Sequence, residues 1–233
     1  MGGGEVVEWL RRLREKLFDI PPRMGAPTGW RRTGHVWWMD DFEADGLHWD
    51  TDLVGFNADV DLDIDYAHSG QQSVKLTTGE QTYGYAKIYR VHMIPDSSKL
   101  GFEFWWRFGT GIEYIEMDID IDDLSKYYMF GVRLNVPTNT VQLRTTENAY
   151  VDVTRLYWDT GYFKGLKLVL DPASGKYDKL YFSEEEHDIS SFQPHWIASQ
   201  GASLLGVNLM AKNYTTGNHN AWIDDVILTY DED

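Results

Sequence analysis

The stretch from Ile115 to Asp123 reads I-E-M-D-I-D-I-D-D, so apolar and acidic residues alternate along it. A period of two places successive side chains on opposite faces of a β-strand. One face of this strand is therefore predicted to be buried and the other to carry carboxylates. The acidic face comprises Glu116, Asp118, Asp120 and Asp122. What these carboxylates contact decides between an enzyme, a metal-dependent binder and a structural module.

Composition and charge exclude several classes of protein. The 233 residues suit one large all-β domain with an extension, and without cysteine there are no disulfides. Residues 1–38 carry seven basic and four acidic groups, a balance of +3, so the net charge of −16 leaves −19 for residues 39–233. We predict neither nucleic acid nor membrane as a partner, because so acidic a body repels both. No signal peptide or membrane-spanning run is predicted.

The amino-terminal segment is predicted to be an amphipathic helical arm. Apolar side chains recur at helical spacing over residues 5–18, and a pair of prolines ends the pattern. The stripe consists of Val6, Leu10, Leu13 and Leu17, with Trp9 at its margin. Either this helix packs on its own domain, or Trp9, Leu10, Leu13 and Leu17 dock on a partner subunit across the Pro/Gly-rich linker. We therefore divide the chain into an arm, residues 1–34, and a sandwich domain, residues 35–233.

From residue 35 onwards the pattern changes to short strands with turn residues between them. A second acidic strand is predicted over Asp59 to Tyr66, and the segment Leu166 to Phe182 reads as a hairpin that turns through D-P-A-S-G. Many short strands with such punctuation indicate a sandwich of two antiparallel sheets. The predicted fold class is all-β, a jelly-roll β-sandwich preceded by the amphipathic helix.

Three segments resemble the jelly-roll carbohydrate-binding modules: residues 40–49 (D-D-F-E-A-D-G-L-H-W), 68–76 (H-S-G-Q-Q-S-V-K-L) and 221–228 (A-W-I-D-D-V-I-L). The hairpin is similar to that of concanavalin-like sandwiches, and domains of this kind also occur in phage structural proteins. The resemblance implies that the first and last strands lie side by side and hold a structural calcium ion. The implied ligands are Glu43 and one of Asp224 or Asp225, with Asp41 nearby. Calcium accepts about six to eight such oxygen ligands.

Sugar binding in these modules rests on exposed aromatic rings. The candidate platform residues in this chain are Trp105, Trp106, Tyr127 and Trp158. Consecutive tryptophans on a strand point to opposite faces, so one indole of the Trp105–Trp106 pair is expected to face outwards. Most aromatic residues of a sandwich this size nonetheless belong to its core.

An enzymatic interpretation starts from E-x-D-x-D, the pattern of Glu116, Asp118 and Asp120. It is similar to the E-x-D-x-E signature of laminarinase-type β-glucanases, but Asp120 replaces the last Glu. A retaining glycosidase needs carboxyl groups about 5 to 5.5 Å apart, whereas positions i and i+4 of a strand are roughly 13 Å apart. We therefore assign no catalytic residue. The alternative is an acidic outer face whose repulsion is relieved by Lys or Arg from a neighbouring strand, by divalent cations or by a basic partner. The candidates within the chain are Arg133, Arg144, Lys164 and Lys167.

Three functions follow from these patterns. The first is a non-catalytic structural or interaction protein, a capsid decoration or tail component of a virion that attaches through its arm to capsid, tail or its own subunits. The alternative is a carbohydrate-binding module with a glycan ligand. A second alternative is a laminarinase-like hydrolase. The corresponding location is the virion surface or the extracellular space.

Overall fold

The computed structural model describes residues 34–95, 99–155, 161–182, 185–199 and 201–233. Every regular element in these ranges is a β-strand, which confirms the all-β prediction. The predicted helix over residues 5–18 lies outside the described residues. Within the described ranges, no helix has the length and apolar character needed to cross a membrane.

The described strands, in chain order, form two eight-stranded antiparallel sheets. They are β1 (His35–Asp40), β2 (Asp50–Val54), β3 (Asp59–Asp63), β4 (Ser73–Thr77), β5 (Tyr85–Met93), β6 (Leu100–Phe108), β7 (Ile112–Asp123), β8 (Lys126–Asn135), β9 (Thr140–Arg144), β10 (Tyr150–Arg155), β11 (Lys164–Asp171), β12 (Lys176–Phe182), β13 (Glu185–Asp188), β14 (His195–Ala198), β15 (Ser203–Asn213) and β16 (Asn220–Tyr230). Sheet A has the order β13-β12-β11-β6-β16-β4-β3, with β1 also on β16. Sheet B has the order β10-β9-β8-β7-β15-β5-β2, with β14 on β8.

The core lies between the two sheets, and β7 shows how the sequence creates it. Its apolar residues Ile115, Met117, Ile119 and Ile121 are buried in the core, as the alternation predicts. Each such side chain contributes roughly 1.5–3 kcal/mol when it leaves water. The acidic residues of β7 therefore lie on the outer face of sheet B, at the middle of that sheet.

The first and last strands are neighbours, as predicted. Strand β16 pairs with β4 through its first half and with β1 through its second half, while β6 runs along its other side. The register shifts between Asp224 and Ile227, where Asp225 has a φ of 47°. This bulge marks the point at which β16 changes partner from β4 to β1.

The second acidic segment differs from its prediction. Strand β3 ends at Asp63, and Ile64, expected on a buried face, is 78% exposed. The strand lies at the edge of sheet A, away from β7, and Lys75 of β4 contacts Asp63 at 3.0 Å. Charged side chains on an edge strand discourage pairing with other chains.

The predicted hairpin is confirmed, because β11 and β12 pair and the N–H of Gly175 donates to Pro172 O at 3.1 Å.

Candidate functional site

The outer face of sheet B carries an arginine–carboxylate cluster. Arg133 donates to Oε2 of Glu116 from Nε at 2.8 Å and from Nη2 at 2.7 Å. Nη2 of Arg144 bridges Oε1 of Glu116 at 2.9 Å and Oδ2 of Asp118 at 2.8 Å. The Tyr150 hydroxyl donates to Glu116 Oε1 at 2.7 Å. The predicted relief of acidic repulsion thus comes from Arg133 and Arg144, on β8 and β9.

The cluster shifts the pKa values of its two carboxyl groups in opposite directions. Burial raises the pKa of Glu116, but Arg133 and the hydrogen bond from Tyr150 outweigh burial, so the pKa is lowered. Burial, followed by repulsion from Glu116, raises the pKa of Asp118 well above its usual value. Glu116 is therefore the ionised member of the pair, because it has the larger share of the arginine contacts.

The contacts of Glu116 within the cluster do not suit the nucleophile of a glycosidase. Its side chain is 3% exposed, and both carboxylate oxygens already accept charge-assisted hydrogen bonds. A nucleophile must reach the anomeric carbon of the sugar, so a carboxylate held in this way does not suit the reaction. The geometry of Glu116 favours a structural role.

Beside the cluster lies a pocket of about 390 Å³, which we call the sheet B pocket. Its lining comes from β5, β7, β8 and β15 and includes Tyr89, Val91, Asp120, Asp122, Tyr127, Leu204, Gly206 and Asn208. Asn208 and Gly206 form its floor, since they pair with Tyr89 and Val91 on one side and with Asp118 and Asp120 on the other. Because Gly206 has no side chain, the middle of the floor is open.

Asp120 is hydrogen-bonded to other polar side chains of the sheet B pocket. Asn208 Nδ2 donates to Asp120 Oδ2 at 3.0 Å. Burial raises the pKa of Asp120, and burial together with Asp120 raises the pKa of Tyr127. Arg90 also lines the pocket, and its guanidinium lies 5.0 Å from the Trp38 ring and donates to His48 O.

The predicted aromatic platform is only partly present. Tyr127 lines the sheet B pocket. The prediction for Trp106 is wrong, because this side chain is 0% exposed in the core. Trp105 does point out of sheet A, but it is only 6% exposed, because His68 stacks on it at 4.8 Å and Phe163 packs beside it. Trp158 lies outside the described residues.

Sequence reasoning missed Tyr89, Gly206 and Asn208. The alternation Y-A-K-I-Y in β5 is a signal that Tyr89 shares a face with Tyr85, opposite the buried Ala86 and Ile88. Nothing in the sequence indicates that β15 lies between β5 and β7, and this pairing is what brings Asn208 to Asp120.

The aspartates predicted as calcium ligands lie in the β16 bulge. Asp224 Oδ2 accepts hydrogen bonds from the backbone N–H groups of His68 at 2.7 Å and Ser69 at 3.1 Å. Asp225 contacts His68 Nδ1 at 2.6 Å and accepts from Ser69 Oγ at 2.8 Å. Burial and the neighbouring Asp225 raise the pKa of Asp224 to about 8. The bulge therefore ties the loop before β4 to the last strand.

Glu43 is hydrogen-bonded to the same loop, at residues that follow Ser69 in the chain. Its Oε1 accepts from the N–H groups of Gln71 at 2.7 Å and Gln72 at 2.9 Å, and Asp41 Oδ1 accepts from Glu43 N at 3.3 Å. Among the described residues, no group of three or more acidic or histidine side chains is arranged to hold a metal ion. These carboxylates thus bind protein donors and do not form a ready ligand set, and structural calcium stays a prediction.

Calcium binding has a direct test. If Glu43, Asp224 or Asp225 binds the ion, calcium at about 1 mM should raise the melting temperature. A ligand that binds only the native state stabilises that state by about 2.7 kcal/mol when its concentration is a hundred times its Kd. The measurement is thermal unfolding with calcium and with EDTA, using Asp233→Asn as an acidic control. Equal melting temperatures in calcium and EDTA would rule the ion out.

Comparisons with known proteins identify the fold. No protein-family model matches the chain, and no curated protein sequence matches it. An endo-β-1,4-glucuronan lyase from the fungus Trichoderma reesei has a similar structure, with a TM-score of 0.60, 12% identity, and coverage of 84% of this chain and 96% of the lyase. The cellulose-induced protein Cip1 has a TM-score of 0.50 and 18% identity over 82% of this chain and 96% of its own.

A carbohydrate-binding module in complex with β-1,4-galactotriose is more distant, with a TM-score of 0.40 and 12% identity over 79% of this chain and 89% of the module. The similar structures include both an enzyme and a binding module. The fold shared with the lyase and with Cip1 agrees with the predicted fold class, a jelly-roll β-sandwich.

Proposed function

We propose that this protein binds a carbohydrate in the sheet B pocket and does not cleave it. The observation that carries the proposal is the composition of that pocket, in which two tyrosine side chains flank a floor of Gly206 and Asn208 beside Asp120. Tyrosine rings pack on the apolar faces of sugars, while carboxylate and amide groups bind sugar hydroxyls. A volume of about 390 Å³ lies within the range of small-ligand sites.

The charge of the pocket supports a neutral sugar. Its charged lining residues are Asp120, Asp122 and Arg90, and the Arg90 guanidinium contacts the Trp38 ring and His48 O. Asp122 accepts hydrogen bonds from Ser199 Oγ and from the N–H of Leu124. A polyanion would meet the two carboxylates inside this pocket, so neutral oligosaccharides suit the pocket better.

Glu116 supports the non-catalytic part of the proposal. Its contacts with Arg133, Arg144 and Tyr150 occupy both carboxylate oxygens, so the first residue of E-x-D-x-D is committed to stability. Hydrolysis of a β-glucan by this protein, lost in Glu116→Gln, would contradict that part while leaving sugar binding intact.

The proposal predicts that Tyr127→Ala weakens binding of a neutral oligosaccharide at least about tenfold, which corresponds to 1.4 kcal/mol. The ligand is chosen from a glycan array, with an expected Kd between about 1 μM and 1 mM, and the measurement is isothermal titration. Tyr127→Phe keeps the ring and should bind almost as well. Tyr214→Ala, an exposed tyrosine at the other end of β15, is the matched control.

Two outcomes of this experiment contradict the proposal. One is an array without any bound glycan while the protein is folded. The other is equal loss of affinity in Tyr127→Ala and Tyr214→Ala, since the pocket then has no special part in binding.

The role of this protein as a virion component remains a prediction. Its docking residues Trp9, Leu10, Leu13 and Leu17 lie outside the described residues, and so do the contacts that would reveal capsid, tail or a second subunit as partner. Sugar binding is compatible with both predicted locations, the virion surface and the extracellular space.

A further inference from the structure

A second pocket, of about 380 Å³, lies on sheet A, away from the sheet B pocket. Its lining includes Asp65, Tyr66, His68, Arg107, Tyr162 and Phe163. Tyr162 is 68% exposed and Tyr66 is 39% exposed. The pocket therefore combines one guanidinium group with two accessible aromatic rings.

Aromatic side chains hold the Arg107 guanidinium in place. Its Cζ lies 3.4 Å from the centre of the Tyr66 ring and 5.2 Å from that of Trp222, which itself meets Tyr66 edge-on at 4.7 Å. Cation–π contacts of this kind fix the plane of a guanidinium without using its N–H groups. The donors of Arg107 are consequently left for other acceptors.

Within the described part of the chain, the Nε donor of Arg107 is buried without a hydrogen-bond partner. The ion pairs of the described residues do not include Arg107. Arg133 and Arg144, by contrast, each bind Glu116. Buried donors are nearly always satisfied in folded proteins, so an unsatisfied guanidinium N–H beside a pocket points to a missing acceptor.

We propose that this pocket binds a carboxylate-bearing sugar, a uronic acid residue, through Arg107. The planar fork of arginine matches a carboxylate with two parallel hydrogen bonds. The rings of Tyr162 and Tyr66 supply apolar surface for the pyranose ring. The acidic lining residue Asp65 is exposed, so the high dielectric constant of water weakens its repulsion of the ligand. His68 is engaged by Asp225 and stacks on Trp105.

The test is calorimetric titration of the full chain with methyl β-D-glucuronide, methyl β-D-glucoside and acetate. The glucuronide should bind at least about tenfold more tightly than either, because it combines a charge-assisted pair with ring contacts. Arg107→Met should lose this preference, and Arg107→Lys should lose most of it, since lysine lacks the fork. Tyr214→Ala, outside both pockets, should bind the glucuronide as the parent does.

A stability measurement separates a binding role from a structural one. Arg107→Met removes no hydrogen bond to the described residues, so the midpoint of its urea unfolding should stay close to that of the parent, allowing for the lost cation–π contact. Equal binding of glucuronide by Arg107→Met and the parent overturns the proposal. So does equal affinity for glucuronide and glucoside, or for glucuronide and acetate. A pocket on sheet A that fails these tests leaves the sheet B pocket unaffected.

Discussion

Replacing Arg144 by Met should lower the free energy of unfolding by about 1–3 kcal/mol at pH 7, because buried carboxyl oxygens of Glu116 and Asp118 lose a hydrogen-bond donor. Arg144 is the residue that bridges Glu116 and Asp118. Without it Glu116 keeps its contacts with Arg133, whereas Asp118 loses its ion pair with an arginine. The measurement is urea-induced unfolding followed by tryptophan fluorescence.

The control is Arg155→Met, at the exposed end of β10, which should change stability by less than about 0.5 kcal/mol. The effect of Arg144→Met should also shrink at low pH. The pKa of Glu116 is lowered from its ordinary 4.5 in the folded protein, so its contribution is present above that pH and is lost as the pH falls. A loss below about 1 kcal/mol at pH 7 would show that the cluster is solvated and weak.

Lys167→Met should lower the free energy of unfolding by about 3–5 kcal/mol, because it removes a buried cation that pairs with two carboxylates. The Lys167 side chain is 0% exposed, and its Nζ lies 2.8 Å from Glu232 Oε1 and 3.5 Å from Glu103 Oε1. Fully buried lysines are rare unless they are paired. The ammonium group thus ties the carboxyl-terminal residues to β6 and β11, and its loss should release them.

Hydrogen exchange gives the second measurement for Lys167. Amides of β16 near Tyr230 should exchange faster in Lys167→Met, because Glu232 no longer holds the end of the chain. Lys176→Met, on the exposed start of β12, is the matched control and should leave exchange and stability unchanged. Unchanged protection of β16 in Lys167→Met would contradict the proposed tie.

The alternation of Ile115 to Asp123 was sufficient to predict which side chains of β7 face the core and which face outwards. The excess of carboxylates on one face also predicted compensating arginines, and Arg133 and Arg144 are among the four named. Both inferences depend on local periodicity and on the cost of like charges, which operate in any sheet. Lys167 was expected beside the same carboxylates and instead pairs with Glu103 and Glu232 on sheet A.

The candidate site was harder to predict, because it is assembled across strands distant in sequence. Asn208 reaches Asp120 only because β15 inserts between β5 and β7. Trp105 was expected to be exposed from its position on β6, but a loop lays His68 across it. Strand order and loop placement are tertiary properties that periodicity does not encode.

The most direct test of carbohydrate binding in the sheet B pocket is a chemical-shift map of the labelled protein titrated with its array-selected neutral oligosaccharide. The expected shifts are confined to the amides of Tyr89, Val91, Asp120, Tyr127, Gly206 and Asn208, with the outer face of sheet A unchanged. Shifts at other amides, with no shift at these six, would contradict carbohydrate binding in the sheet B pocket.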